Sequence, residues 1–270
     1  MTGTYIGSSN HLAVDSNDNV YTSVSKDSVQ PNYFAIQMFQ AGKYGKVKPM
    51  RTIWGSLTDL AMPEGVAVDS IGNVYAMNGS EGDFCSQEQA WVTEYKAGSN
   101  GNVPPIAIVN DRGYFAAIAL DVNGDLYTLG QDYVSSSSCP YSIHVYSPSG
   151  SGFTLVQDIT GPSTQVPPLG GIAVDSNDNI YVSSGNKVLV YAAGSNGDAA
   201  PLDVITGSKT RLSNTVAVAV DASGDIYATS ISPPARVTVY PPGSNGNALP
   251  SQDIVGKNTK LAGPISIVVR

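Results

Sequence analysis

Residues Gly171–Gly207 read GIAVDSNDNIYVSSGNKVLVYAAGSNGDAAPLDVITG, and this stretch decides the fold. Ile172–Val174 is a short apolar run that stops at Asp175. Ser176-Asn177-Asp178-Asn179 follows, a tight-turn composition in which Asn and Asp tolerate left-handed backbone. Ile180-Tyr181-Val182-Ser183 is β-branched and aromatic, Gly185-Asn186 breaks it, and Lys187–Tyr191 (KVLVY) alternates like a strand. Gly194-Ser195-Asn196-Gly197 is an Asn-Gly turn, a strong hairpin signal. Leu202–Ile205 makes a fourth strand. Four antiparallel strands with two apolar faces cannot bury both faces alone, so copies must stack.

The copies are present. The first turn recurs at Asp15, Asp69, Asp121, Asp175 and Asp221, at spacings of 54, 52, 54 and 46 residues. The Gly-Ser-Asn-Gly turn recurs at Gly98–Gly101, Gly194–Gly197 and Gly243–Gly246. The first unit has a degenerate form, Gly42-Lys43-Tyr44-Gly45, and the third has Ser149-Gly150-Ser151-Gly152. The expected fold is an all-β propeller of four-stranded antiparallel blades over residues 1–270 as one domain. Five blades are clear and a sixth is fragmentary. Leu261–Arg270 matches a first strand, and Thr4-Tyr5-Ile6 could be a fourth. Either the ring is five-bladed with an extra closing strand, or a longer protein is represented in part.

Of 270 residues, 41% are hydrophobic and only 13% are charged, well below the usual quarter. Polarity comes from Ser, Asn, Gly, Thr and 15 Tyr, a surface common in extracellular β proteins. Net charge is −8, with 14 basic against 22 acidic residues, which argues against nucleic acid as a partner. No apolar run is long enough for a membrane span. No signal peptide precedes the repeat, and a cytoplasmic protein would look the same at Met1; the neutral, turn-rich surface makes the expected location extracellular or periplasmic, with the leader absent. Cys85 and Cys139 fall in the same loop of adjacent blades, and a disulfide between them would imply an oxidising compartment.

The units resemble NHL-repeat β-propellers, through Pro63-Glu64-Gly65-Val66-Ala67-Val68-Asp69, then Gly72-Asn73-Val74-Tyr75, then a strand such as Lys187–Tyr191. The Ala-Gly-Ser-Asn-Gly turns look like those of secreted bacterial repeat proteins. The resemblance covers nearly the whole chain and implies the fold. For function it is permissive: similar propellers include lactonases, lyases, RNA-binding modules and adhesion domains.

The resemblance also implies sites where the central channel opens. Aligned on the repeat Asp, the residues leading into first strands are Asn10 and His11, Glu64, Ala116, Gly170, Val216 and Ile265. Those leaving second strands are Val24, Asn78, Gly130, Ser184 and Ser230, where the family often has Asp. Gluconolactonase-type enzymes need a ring of oxygen ligands around a divalent cation. Here the mouth offers Glu64, with Asn10 and Asn78 as neutral ligands. No cofactor is therefore expected, Ca²⁺ being the one cation the mouth suits. His11 with Glu64 could serve as general base and orienter. His144, in a third-strand pattern, reads as structural, and so do the five repeat Asp residues.

Loops after second strands are long in blades 1–3 and short in blade 4. Together they would form an acidic, Tyr-bearing wall of Asp27, Tyr33, Glu81, Asp83, Phe84, Glu88, Asp132, Tyr133 and Tyr141. Carboxylates beside aromatic rings suit a sugar or a peptide. The leading reading is a non-catalytic extracellular binding or scaffold propeller with its ligand on this wall. The runner-up is a lyase or lactonase built at the mouth on His11, Glu64 and Asn78.

Overall fold

The computed structural model describes residues 11–25, 34–79, 89–135 and 138–269. They form five antiparallel blades. Blade 1 is β1 (Leu12–Val14), β2 (Val20–Ser25), β3 (Phe34–Phe39) and β4 (Arg51–Trp54). Blade 2 begins with β5 (Pro63–Val68), β6 (Val74–Asn78) and β7 (Gln89–Tyr95), and β8 (Ala107–Leu120) closes it. Blade 3 continues through β9 (Leu126–Asp132), β10 (Tyr141–Ser149) and β11 (Gly152–Thr160). Blade 4 is β12 (Ile172–Val174), β13 (Ile180–Ser184), β14 (Lys187–Tyr191) and β15 (Asp203–Thr206). Blade 5 is β16 (Thr215–Val220), β17 (Ile226–Ser230), β18 (Arg236–Tyr240) and β19 (Gln252–Val255). A single 3₁₀ turn, Lys257–Thr259, is the one helical element among the described residues.

Both faces of each inner blade are apolar, and stacking buries them. Val74 and Ala76 of β6 join a cluster with Ile36 and Ile53 of blade 1, while Tyr75 and Met77 join Phe115 and Leu126 of blade 3. Two more clusters lie between blades 3 and 4 and between blades 4 and 5. Strand alternation with a period of two thus divides each blade between two interfaces.

The repeated Asp does the structural work its composition suggested. One oxygen of Asp175 accepts the N–H groups of Asn177 (2.8 Å) and Asn179 (2.9 Å); the other accepts the Asn179 amide and the Tyr181 hydroxyl. Asp15 repeats this set with Asn17, Asn19 and Tyr21.

The Gly-Ser-Asn-Gly turns have a second role, gripping the preceding blade. Asn196 accepts the Asp158 N–H (2.9 Å), Asp198 accepts the Ser163 N–H (2.7 Å), and the buried Tyr191 hydroxyl donates to the Thr164 carbonyl (2.6 Å). Asn100, Asn102 and Tyr95 hold blade 1 in the same way, and Asn245, Asn247 and Tyr240 hold blade 4. The receiving loop is Gly-x-x-Thr, opening at Gly55, Gly161 and Gly207 with φ of 119°, 133° and 122°. A Cβ at any of the three would lie 2.5–2.6 Å from the gripping Asn or Asp. These glycines are required by a close approach as well as by backbone.

Two junctions depart. Between blades 2 and 3 the receiving loop is gone. The first half of β8 pairs with β7 and the second half with β9, so one strand serves both blades. At the crossover Gly113 has φ 124°, and a Cβ there would sit 1.8 Å from the Gln131 carbonyl oxygen. Beyond blade 5 the receiving loop Gly256–Thr259 folds in the usual way, the Thr259 hydroxyl donating to the Gly256 carbonyl (2.7 Å), but no turn among the described residues grips it. Ile254 is 44% exposed there, against 3%, 0% and 0% for Ile53, Ile159 and Ile205.

The C-terminal segment expected to form a first strand carries no strand pairing among the described residues. It instead lies beside blade 1, where the Ser266 hydroxyl accepts the Leu12 N–H (3.2 Å).

Candidate functional site

The channel lies between the first strands. Its walls include His11, Leu12, Gly65, Val66, Ala117, Gly171, Ala217 and Ser266. Its volume is about 80 Å³, well under the several hundred expected of a ligand pocket. Glu64, Ala116 and Val216 occupy the same position in three blades, each the unpaired residue of a bulge in its first strand. Bulges re-aim side chains. Here the ring of bulged residues carries one carboxylate, one methyl and one isopropyl group.

Glu64 accepts the Tyr114 hydroxyl at its Oε2 (3.1 Å), and burial, reinforced by the Glu64 charge, drives that phenol far above its ordinary value. The His11 ring meets the main-chain carbonyl of Glu64, not its carboxylate: Nδ1 lies 2.5 Å from the carbonyl oxygen. That contact requires Nδ1–H, and so leaves Nε2 as the basic nitrogen. Burial lowers the His11 pKa, opposed in part by the Glu64 carbonyl and charge. The imidazole is therefore neutral at neutral pH.

Asn78 does not face the mouth as a ligand. It is fully buried, its Oδ1 accepts the Ala61 N–H (3.0 Å), and its Nδ2 donates to the Ala76 carbonyl and the Thr93 hydroxyl. Of the expected cation ligands Glu64 remains, with Asn10 outside the described residues. The donor set does not match the oxygen-rich shell that Ca²⁺ requires.

The expected wall is described only in part. Asp27, Tyr33, Glu81, Asp83, Phe84, Cys85 and Glu88 lie outside the described residues. Tyr133 and Tyr141 stand at the blade 3 end of the loop, half-buried. Asp132 is turned inward: its Oδ1 accepts the Ser142 hydroxyl (2.8 Å) and its Oδ2 approaches His144. Cys139 is disulfide-bonded, and Cys85 is the chain's one other cysteine.

The larger hollows are on the opposite face, beside the repeat-Asp turns. One, of about 410 Å³, lies between blades 1 and 2, with Asp15, Tyr21, Met38 and Arg51 on its walls. Another, of about 470 Å³, lies between blades 2 and 3. The blade 3 hairpin forms one of its walls, through Pro148, Gly150, Ser151, Gly152 and Phe153. This β10–β11 hairpin closes directly through Gly150 and Ser151, Ser149 pairing with Gly152.

Glu94 lines this second cleft with Asp69, Asn73, Tyr75 and Phe153. The Tyr75 and Phe153 rings meet edge to face at 6.2 Å. Glu94 stands opposite Tyr75 in the ladder, a position held by Met38, Val145, Val190 and Val239 in the other blades. Asn73 donates its amide to Glu94 Oε1 (2.9 Å). Burial and the Asp69 charge still raise the Glu94 pKa, against the hydrogen bonds from Tyr75 and Asn73. Sequence reasoning passed over this residue. The signal was there: WVTEY in blade 2 carries a charge where KVLVY and RVTVY carry Val.

No family model and no curated protein matches the chain. Solved structures do match in fold. A protein of unknown function from Bacteroides caccae aligns with a TM-score of 0.61 at 11% identity, covering 96% of this chain and 85% of that one. The WD40 β-propeller domain of Doa1 aligns at 0.59 and 12%, covering 94% and 70%. A gluconolactonase from Xanthomonas campestris aligns at 0.55 and 14%, covering 87% and 72%. This chain is a five-bladed propeller. At these identities the likeness is one of fold, shared by an enzyme and a WD40 domain alike.

Proposed function

We propose that the chain is a non-catalytic binding propeller, of NHL-like repeat type, that holds a neutral or cationic sugar or peptide. The ligand lies in the cleft between blades 2 and 3, not on the loop wall of the opposite face. The observation that carries this reading is Glu94, a carboxylate at a position apolar in every other blade, facing a cleft of ligand size. A half-buried carboxylate whose pKa stays raised despite hydrogen bonds from Tyr75 and Asn73 gains from a further donor or a cation in the cleft. The Tyr75–Phe153 pair adds an aromatic wall of the kind sugars and peptides stack on. A disulfide at Cys139 supports an extracellular or periplasmic setting.

The test is a glycan and peptide array followed by calorimetric titration of any hit. E94V and F153A are expected to weaken binding at least tenfold, while E64Q leaves it unchanged. Binding that survives E94V, or is lost in E64Q, overturns the assignment. A second reading, a lyase or lactonase at the mouth, draws on His11: its Nδ1 contact to the Glu64 carbonyl orients Nε2 as a neutral base. Turnover of lactones that disappears in H11Q would favour it.

A further inference from the structure

One cluster belongs to neither the channel nor the cleft. His144, at the middle of β10, is 7% exposed. Its Nε2 lies 3.4 Å from Asp158 Oδ1 on β11 and 3.6 Å from Asp132 Oδ2 at the end of β9. All three donor atoms fall within 4.8 Å of one another. We propose that they form a binding site for one borderline divalent transition ion, of the Zn²⁺ class.

Spacing is the first argument. A proton shared between imidazole and carboxylate draws nitrogen and oxygen to about 2.7–2.9 Å. Ligands at ~2.1 Å from a tetrahedral ion stand about 3.4 Å apart along each edge. The two nitrogen–oxygen separations, 3.4 and 3.6 Å, match the second figure and exceed the first.

The surroundings are the second argument. Asp158 Oδ1 is a buried oxygen with no hydrogen-bond partner, aimed into the cluster. The remaining polar atoms are already engaged as they are around metal ligands. Ser142 donates to Asp132 Oδ1 (2.8 Å), directing Oδ2 inward. The Tyr146 hydroxyl meets His144 Nδ1 (3.3 Å), which orients Nε2 toward the carboxylates. The Asp158 main chain is held by Asn196 of blade 4. Three successive strands of one blade thus present three ligands, and a partly exposed Asp158 leaves a path for the ion.

The donor set selects the ion. One imidazole with two carboxylates suits Zn²⁺ or Co²⁺, whereas Ca²⁺ and Mg²⁺ require more oxygens. Water would complete the shell. In blades 4 and 5, which carry the gripping tyrosines, this register holds no such trio: the residues opposite one another are Leu189 and Val204 in blade 4 and Thr238 and Asp253 in blade 5.

The test uses the whole protein, stripped with EDTA and titrated with ZnCl₂ and CoCl₂ by calorimetry, with Co²⁺ visible absorption as a second readout. One ion per chain is expected, with a tetrahedral Co²⁺ band and a higher melting temperature at hundredfold excess of ion over Kd. D158N and H144Q should each weaken binding at least 100-fold, and H11Q should not. D158N alters a half-exposed carboxylate and keeps the fold, so it decides even where H144Q does not fold. No binding by the wild type, or equal binding by D158N, overturns the proposal.

Discussion

The junction between blades 3 and 4 and the one between blades 2 and 3 are built from the same repeat yet held by different means. At the first, an Asn-Gly turn and a tyrosine reach across to a Gly-x-x-Thr loop, and the gap is filled. At the second, β8 replaces the loop with continuous backbone, and blade 3 has no turn that can reach. The covalent shortcut makes the grip redundant. Polar residues gather at this junction: Glu94 and Asp69 toward one face, His144, Asp132 and Asp158 toward the other. A hollow also lies at the gripped junction of blades 1 and 2, so what sets this one apart is its lining: Glu94 stands where the other blades carry Met or Val.

The largest expected effect breaks the shortcut. Gly113→Ala sets a Cβ against the Gln131 carbonyl at positive φ, and we expect a loss of about 3–5 kcal/mol in chemical denaturation, or no folding. Next come the grips. Tyr191→Phe leaves the buried Thr164 carbonyl without its donor and should cost about 1–2 kcal/mol. Tyr146→Phe, whose hydroxyl meets His144 within its own blade, should cost less than half of that in the same urea titration. Equal costs would mean that the two junctions are held alike.

Glu94→Gln sharpens the contrast in the other direction. A carboxyl whose folded pKa is raised is stabilising only when protonated. That contribution is present below the unfolded value of about 4.3 and lost as pH rises through the folded value. At neutral pH the charge therefore opposes folding, and E94Q should raise the melting temperature by a few degrees while weakening ligand binding.

The smallest effects are in the pH profile. Burial would raise the pKa of Asp15 and Asp175, but the hydrogen bonds from Asn19 and Asn179, the turn N–H groups and a tyrosine outweigh it and hold both low. The partner Tyr21 is pushed up to about 12 by burial and by Asp15. Depressed carboxyls stabilise above their unfolded value of about 3.9, and that stability is lost as pH falls through the folded value. His11, lowered by burial, behaves as a base: stability falls as pH drops from about 6.5 toward its folded value. Thermal melts from pH 3 to 8 should show both limbs, and H11Q should remove the upper one only.

Much of the ring was legible because its rules are local. The Asp turn, the Tyr-bearing second strand and the Asn-Gly hairpin each fold within a dozen residues, and Lys187–Tyr191 is the strand its alternation announced. Glu64 too was reached by alignment, since a bulge recurs at a fixed distance from the repeat Asp. The sites were harder because they arise between repeats. Nothing near Glu94 in sequence tells that blade 3 stands off from it. His144 read as an ordinary strand histidine until register set Asp158 opposite. Asn78 looked like a ligand by position, but three hydrogen bonds fix it inside blade 2.

The Gly-x-x-Thr loop after blade 5 takes the same shape as its three gripped counterparts although no described residue presses on it. Blades 4 and 5 thus each carry a socket at one edge and a plug at the other, both written in their own fifty or so residues. Duplicating such a unit supplies its new interface without any compensating change elsewhere, so a chain of this kind can lengthen one blade at a time. Blades 2 and 3 have left that scheme: with β8 shared, they can be copied or lost only as a pair.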